Sequence, residues 1–424
     1  MELPDCGAVS GLKFKGIMVI CDGMGDRPHP GHGGKTPLEA AETPFMDRLA
    51  DQGIVGFMDV ISPGIPPGSD VAHLSLFGYD PYEYYTGRGG FEAVGAGLTL
   101  SPGDVAFRCN FASVKEDFTV MDRRAGRIRE EAEKMVPAIR EIKLDVEGLT
   151  YEFHHTVEHR GVLVLHGDNL SRQVSDTDPH KVGERVLRSA PLEEGVAAER
   201  TAEALNQFTL KSYEVLRNHP VNLNRIKQGK PPANIILSRG AGTLPKLQPI
   251  PQKYGVKASA IAAVALVRGV CKVVGMDLID VPSATGGLDT DYSAKAEAAL
   301  RSLKENDLTI LHVKATDVAS HDGDFEMKRH VIEKIDDMVG TIFRNVKGSD
   351  VYVAVTADHT TPVTVRDHTG DPVPFLLWGP GTLRSGVGRF CERTARNGNA
   401  GRIRGPDLIH ELMNYMGFSQ KFGF

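Results

Sequence analysis

GIMVICD, residues 16–22, runs from a glycine through five apolar side chains to an aspartate. A stretch that short, apolar without alternation and bounded by turn-forming residues, reads as a strand buried on both faces, the kind found in parallel sheets covered by helices. The same pattern recurs at Leu308–Val313 in LTILHVKATD and at Val351–Thr356 in VYVAVTAD, with further candidate strands at Gly161–Leu165, Asn234–Leu237, Cys271–Val274 and Val373–Trp378. Helical periodicity separates them. Thr43 is placed to cap a helix that Pro44 opens and Gly53 closes, and Ala294–Leu303 and Glu326–Phe343 carry apolar residues every three or four positions. The expected fold is therefore α/β, a mostly parallel sheet flanked by helices.

Three of these runs lead into an aspartate: Asp22, Asp317 and Asp358. Ligands of open parallel sheets bind beyond the carboxyl ends of the strands, so a polar residue just past a buried run points toward a site. His321 follows Asp317 by four residues, His359 adjoins Asp358, and His368 lies in the loop before the last candidate strand. Carboxylate oxygen with imidazole nitrogen is a donor mixture for zinc, manganese and related divalent ions. The best-placed nucleophile is Ser69 in PPGSDVAHLSLFG, where Pro and Gly allow a sharp turn and Val71, Leu74 and Phe77 suggest a helix starting at the serine. Each residue alone has a plainer reading, Asp as a turn residue, Ser as a helix cap and His as a packed core group. Their convergence on one sheet edge favours a two-metal centre.

Composition narrows the alternatives. The chain has 424 residues and a formal charge of -6, from 49 Lys+Arg against 55 Asp+Glu, so it has no global basic field for nucleic acid or an anionic membrane. The longest apolar stretch, Ala258–Met276, is interrupted by Arg268 and Lys272, and no segment reads as a membrane span. Five cysteines (Cys6, Cys21, Cys109, Cys271, Cys391) are scattered and odd in number, which suggests reduced thiols, and a cytoplasmic setting follows. The fragments DGMGD, TGRGG and SRGAG complete no dinucleotide or P-loop fingerprint. His154, His155 and His159 cluster without carboxylates at metal spacing, and the charge run Arg123–Lys134 reads as a solvated helix face. The charge-dense tract from Asp122 to Lys143 and the K-P-P-A connector at 230–233 outline a second lobe at 101–248, with 1–100 and 249–424 forming the metal-binding part.

The order Asp22, Ser69, Asp317/His321, Asp358/His359, His368 resembles the alkaline phosphatase superfamily. Within it, ICDGMGDRP, PGSDVAHLSLFGYDP, DRRAGR, SDTDPH, SRGAG, HVKATDVASHDGD and TADHTTP resemble the archaeal type of cofactor-independent phosphoglycerate mutase over nearly the whole chain. Ser320 departs from that pattern, standing where a Gly is expected. The resemblance implies an alkaline-phosphatase-like sheet with a smaller inserted α/β lid, and exchange of phosphate between the 3- and 2-positions of glycerate through a metal-activated phosphoserine on Ser69. It implies two divalent cations, manganese first and magnesium, zinc or cobalt as alternatives, with no 2,3-bisphosphoglycerate. One would be held by Asp22, Ser69, Asp358 and His359, the other by Asp317, His321 and His368. Substrate contacts would come from Arg123, Arg127, Arg160, Asp176, Asp178 and Arg239 of the lid, with Arg268 from the other lobe. A phosphatase, phosphodiesterase or phosphopentomutase using the same groups, or a metal-binding protein without turnover, are the competing readings.

Overall fold

The computed structural model describes residues 13–423. By internal contacts the chain forms two compact units, one of Met1–Tyr85 with Leu247–Phe424 and one of Thr86–Lys246. The first crossing thus falls before residue 101. The helix Arg88–Gly95 belongs with the second unit because it lies directly on three of that unit's strands, and Gly90 permits this: a Cβ there would run into the carbonyl of Thr243.

Chain-ordered strands of the first unit are β1 (Lys15–Cys21) and β2 (Ile54–Asp59). The second unit supplies β3 (Val105–Val114), β4 (Val120–Asp122), β5 (Thr150–His155), β6 (Arg160–His166) and β7 (Ile235–Gly242). The first unit resumes with β8 (Ala258–Ile261), β9 (Asp277–Leu278), β10 (Leu308–Val313), β11 (Val351–Thr356), β12 (Val373–Trp378) and β13 (Gly401–Arg404). Among the described residues the first unit holds an eight-stranded sheet in the order β13-β2-β12-β11-β1-β10-β8-β9. β1 pairs in parallel with both β10 and β11, while β12 runs antiparallel to β11 and β2. β10 and β11 are buried along their whole length, as their mostly apolar composition favours, with Thr309, His312 and Thr356 as buried polar exceptions. The second unit has an antiparallel sheet, β4-β3-β6-β5 with β7 on β3, and a core that includes Phe107, Phe111, Phe153, Leu163, Leu205 and Phe208.

Three local expectations are corrected. Cys271–Val274 is no strand but the end of the helix Ala265–Val273. Leu266, Val267, Val270 and Cys271 are buried at helical spacing, and the actual strand in that apolar stretch is β8. Arg123–Lys134 is not a helix. The Asp122 carboxylate accepts the N–H groups of Arg124 (2.8 Å) and Gly126 (2.7 Å), and Ala125, Gly126 and Arg127 take positive φ, so side-chain bonding to the turn defeats helix formation until Glu133–Met135. Thr43 does not cap its helix: its hydroxyl bonds Asp47 (3.1 Å), and the N–H groups of Phe45 and Met46 are accepted by Asp336 of the helix Phe325–Val346, at 3.2 and 2.7 Å. The helices Tyr292–Ser302 and Phe325–Val346 match the expected segments. Cys21, Cys109, Cys271 and Cys391 are buried free thiols, and Cys6 lies outside the described residues. Among the described residues no helix is long and apolar enough to cross a membrane.

Burial pushes the Asp336 carboxyl up to about 6, outweighing the two N–H donors it serves. Because the fold favours the neutral form, the contribution of Asp336 to stability is complete below the ordinary carboxylate range and is lost as pH rises through about 6. Urea midpoints recorded between about pH 4 and pH 7 should therefore vary less in Asp336→Asn than in the unaltered protein. Identical slopes for the two would show that another group controls that window.

Candidate active site

Asp22 closes β1, and the parallel neighbours of β1 carry the other two acids: Asp317 in the first turn of the helix Ala315–Asp322 after β10, and Asp358 just past β11. All three are buried. A left-handed Gly23 (φ +66) lets the chain turn beneath them, since a Cβ there would lie 2.8 Å from both Asp317 Oδ1 and Thr361 Oγ1, and its N–H donates to Asp358 Oδ1 at 3.0 Å.

The imidazoles meet these carboxylates through the same nitrogen. His321 Nε2 is 3.4 Å from Asp317 Oδ2, His368 Nε2 is 3.6 Å from Asp317 Oδ1, and His359 Nε2 is 3.3 Å from both Asp22 Oδ1 and Asp358 Oδ2. The opposite nitrogens are engaged. His321 Nδ1 lies 2.8 Å from the carbonyl of Arg366, His368 Nδ1 lies 2.7 Å from that of Pro67, and His359 Nδ1 lies 2.8 Å from Thr361 Oγ1, whose hydroxyl donates onward to Asp317 (3.1 Å). A carbonyl only accepts, and the Thr361 proton is already given to Asp317, so Nδ1 carries the proton in each ring. The Nε2 atoms are left to the carboxylate cluster, the outer-layer arrangement typical of metal-binding histidines. The donor atoms of Asp317, His321 and His368 lie within 4.8 Å of one another, as do those of Asp22, Asp317 and His359.

Ser69 begins the helix Ser69–Leu76, with Gly68 as its N-cap, and its Oγ lies 3.4 Å from His359 Nε2. The serine oxygen, the imidazole and two carboxylates thus share one nitrogen as their common neighbour. His73, one turn along, holds the Ser69 carbonyl with Nδ1 at 2.6 Å. Ser320 fits without disturbance, bonding back to the carbonyl of Thr316 at 2.7 Å.

Electrostatics identify what the residue pattern missed. The Lys314 ammonium lies 3.0 Å from Asp22 and 2.6 Å from Asp317, and His312 Nε2 holds Asp22 Oδ2 at 2.9 Å from inside β10. Burial raises Asp317, but His321, His368 and Lys314 outweigh it and hold the carboxyl far below the usual range. Asp358, with burial and the Asp22 charge against it, is pushed up, and its buried Oδ2 has no hydrogen-bond donor. Asp317 in turn lifts His321 to about 9, so without a cation its Nε2 also holds a proton, which a metal there would replace. The i,i+3 spacing of Lys314 and Asp317 was the available clue, whereas His312, inside an apolar run, gave none.

These groups fit divalent metal. Three buried carboxylates stand against a single ammonium, one buried carboxylate oxygen has no donor, and three Nε2 atoms converge on the cluster. Such a donor set around a hydroxyl can bind metal and support phosphoryl transfer.

Within the second unit, the antiparallel pairing of β3 with β7 sets Arg108 directly opposite Arg239, and its pairing with β6 sets Asn110 opposite Arg160. Like charges facing each other across a ladder are destabilising. Arg108 Nε, Arg239 Nε, Asn110 Oδ1 and His159 Nδ1 are buried without hydrogen-bond partners. Burial, then the neighbouring guanidiniums of Arg88, Arg239 and Arg160, push the Arg108 guanidinium down, and burial with Arg160, Arg124, Arg108 and Arg239 brings His159 to about 4. Among the described residues the guanidiniums have only Glu92 (3.7 Å from Arg108) and Asp178 (3.9 Å from Arg239) at ion-pair distance to offset them, a candidate anion site, and Arg108, Asn110 and His159 were not singled out in the sequence. Arg123 is held bidentately by the buried Asp178 (2.8 and 2.7 Å), and Asp176 binds His180 (2.8 Å) and the N–H of Gly240 (2.9 Å), so these acids position cations and backbone. The Arg127 side chain has no polar partner among the described residues, and in the first unit Arg268 is bound to Asp280 at 2.8 Å. His155 is engaged on both nitrogens, by Glu133 (2.9 Å) and by the carbonyl of Glu158 (2.6 Å).

The family model described as 2,3-bisphosphoglycerate-independent phosphoglycerate mutase matches residues 50–222. A protein of that name from Ignicoccus hospitalis is 50% identical over 415 residues, covering 97% of this chain and 99% of the relative, and one from Saccharolobus solfataricus is 49% identical over 412 residues, with 97% and 99% covered. Among solved structures, a protein from Pyrococcus horikoshii superposes with a TM-score of 0.86 at 42% identity (98% of this chain, 100% of that one). The cofactor-independent phosphoglycerate mutase from Thermoplasma acidophilum superposes with a TM-score of 0.71 at 34% identity (95% and 100%). The chain belongs to the 2,3-bisphosphoglycerate-independent phosphoglycerate mutase family, and is an isomerase of that class.

Thr361→Val keeps the side-chain shape but removes the hydroxyl shared by His359 and Asp317, and should weaken manganese binding about tenfold by titration calorimetry. Undiminished affinity would deny Thr361 that orienting role. Arg108→Met, by relieving repulsion, should raise the melting temperature in phosphate-free buffer and shrink the further rise that added phosphate produces. A lower melting temperature with the phosphate response intact would contradict the anion site.

Proposed function

We propose that this chain interconverts 3-phosphoglycerate and 2-phosphoglycerate through a phosphoserine at Ser69, in the cytoplasm, within glycolysis and gluconeogenesis, without 2,3-bisphosphoglycerate. The observation that carries the reading is the position of Ser69 Oγ, 3.4 Å from a His359 Nε2 that is itself 3.3 Å from Asp22 and from Asp358. Asp22, Ser69, Asp358 and His359 would hold one divalent cation and Asp317, His321 and His368 another, with manganese the expected metal. Bound there, the cations would offset charge on phosphoryl oxygens and lower the pKa of the serine hydroxyl.

In the first transfer Ser69 Oγ forms a bond to phosphorus while the bond from phosphorus to the C3 oxygen of the substrate breaks, and the serine proton is balanced by the one taken up at that oxygen. In the second, the C2 hydroxyl of the same glycerate attacks the phosphoserine, the bond from phosphorus to Ser69 breaks, and the serine hydroxyl is restored. A mutase differs from a phosphatase only in the acceptor, so glycerate must be retained and water kept away. We assign that retention to the second unit acting as a lid, with Arg108 and Arg239 as forks for carboxylate or phosphate, aided by Arg160 and by Arg123 on its Asp178 support. Arg127 would reach the substrate from the same loop, and Arg268 from the first unit.

Phosphorus NMR of 3-phosphoglycerate with the protein and manganese should show 2-phosphoglycerate growing to equilibrium with no added bisphosphoglycerate. Accumulation of inorganic phosphate alone would make the protein a hydrolase. Ser69→Ala should abolish both turnover and the phosphoprotein trapped by rapid quench, and retained mutase activity would exclude the serine route. Chelation should silence the enzyme and manganese restore it.

A further inference from the structure

The first unit has a cavity of about 470 Å³ apart from the serine and its carboxylates, beside the β2–β13 edge of the sheet. Its size lies within the range of small-molecule sites. Its wall is apolar where Phe57 and Pro372 contribute, and its rim carries the guanidiniums of Arg27, Arg393, Arg396 and Arg402. Three of these are pinned to carboxylates: Arg27 through Nε to Asp371 at 2.8 Å, and Arg393 and Arg402 through both Nε and one terminal nitrogen, to Glu39 at 2.5 and 3.4 Å and to Asp59 at 2.6 Å each. Pinning leaves outer N–H groups on a fixed fork, the form in which arginine recognises phosphate. The Arg396 side chain has neither ion pair nor hydrogen bond among the described residues. The same lining holds an acceptor: the Glu392 carboxyl, itself engaged by the hydroxyl of Thr36 (2.7 Å) and the N–H of Asp26 (3.1 Å).

The cavity thus brings together guanidiniums, an apolar wall and a carboxyl with a hydroxyl. The matching ligand combines an oxyanion, a flat apolar part and N–H or O–H donors. We propose that this cavity is a second ligand site and takes an organic phosphate of mononucleotide size. The phosphate lies among Arg27, Arg396 and Arg402, a ring lies against Phe57, and an amino group donates to Glu392.

The site is wired to the catalytic cluster. The Asp26 carboxylate is bonded to the fully buried Lys328 ammonium (2.8 Å), which also donates to the carbonyl of Thr361 (3.0 Å), and the Thr361 hydroxyl bonds Asp317 (3.1 Å). Asp371, the partner of Arg27, follows His368 by three residues and accepts from Thr369 at 2.7 Å. Occupancy therefore bears on the two loops that present His359 and His368, and ligand and divalent metal should influence each other's affinity reciprocally.

The test is calorimetry on the full-length, metal-free protein with AMP as probe, which needs no turnover. One-to-one binding with a Kd at or below about 1 mM is expected. It should weaken about tenfold in Arg396→Ala, as loss of one charged hydrogen bond implies, and also in Glu392→Gln, both variants keeping the unaltered melting temperature. Adenosine and inorganic phosphate should each bind more weakly than AMP. The proposal is overturned if AMP does not bind, if phosphate or adenosine alone matches it, or if binding survives Arg396→Ala but falls in Arg108→Ala, which would place AMP at the second unit's anion site.

Discussion

Three carboxylates forced together inside a protein repel one another, and much of the first unit is organised around that repulsion. Asp22, Asp317 and Asp358 are adjacent because their strands are, and register in a parallel ladder leaves them no freedom to separate. Their charge is met from every side: Lys314 bridges two of them, His312 and His359 reach Asp22, His321 and His368 reach Asp317, and the N–H of Gly23 reaches Asp358. The consequence is a split set of carboxyls. Asp22 and Asp317 are held ionised while Asp358 is pushed toward neutrality. Divergent environments for neighbouring acids mark a reactive centre, because packing alone would not retain so much unbalanced charge.

The second unit has the reverse arrangement. Arg108 and Arg239 face each other across a ladder, with Arg160 on the neighbouring strand, and the buried Nε atoms of Arg108 and Arg239 make no hydrogen bond, with Glu92 and Asp178 only at ion-pair distances of 3.7 and 3.9 Å. A fold tolerates such strain where a ligand relieves it. One site thus concentrates acid and the other base, a contrast of local arrangement within each unit rather than of the units' net charges.

Between these extremes, buried polar groups do structural work that local sequence does not announce. Asp336 caps a helix 290 positions away, closing two N–H groups that Thr43 leaves open, and Lys328 ties Asp26 to the loop of Thr361. Both are single charged residues within a long amphipathic helix, where a charge ordinarily faces solvent. Only the packing of that helix against neighbouring helices and loops turns them inward.

The amino-acid sequence by itself determined the parallel core, because unbroken apolar runs have few places to be except between two layers of helices. It also determined the acids and imidazoles of the cluster and the start of the helix at Ser69, since position at a strand end and proline-glycine punctuation are local properties. It misread Cys271–Val274, where a helical stripe on an apolar background imitates a strand, and Arg123–Lys134, where Asp122 captures the turn. Tertiary structure alone decided that Lys314 bridges two carboxylates, that three imidazoles present the same nitrogen, and that Arg108 stands opposite Arg239. Those are statements of register and approach between segments far apart in the chain, and no local pattern of side chains encodes which distant backbone will lie alongside.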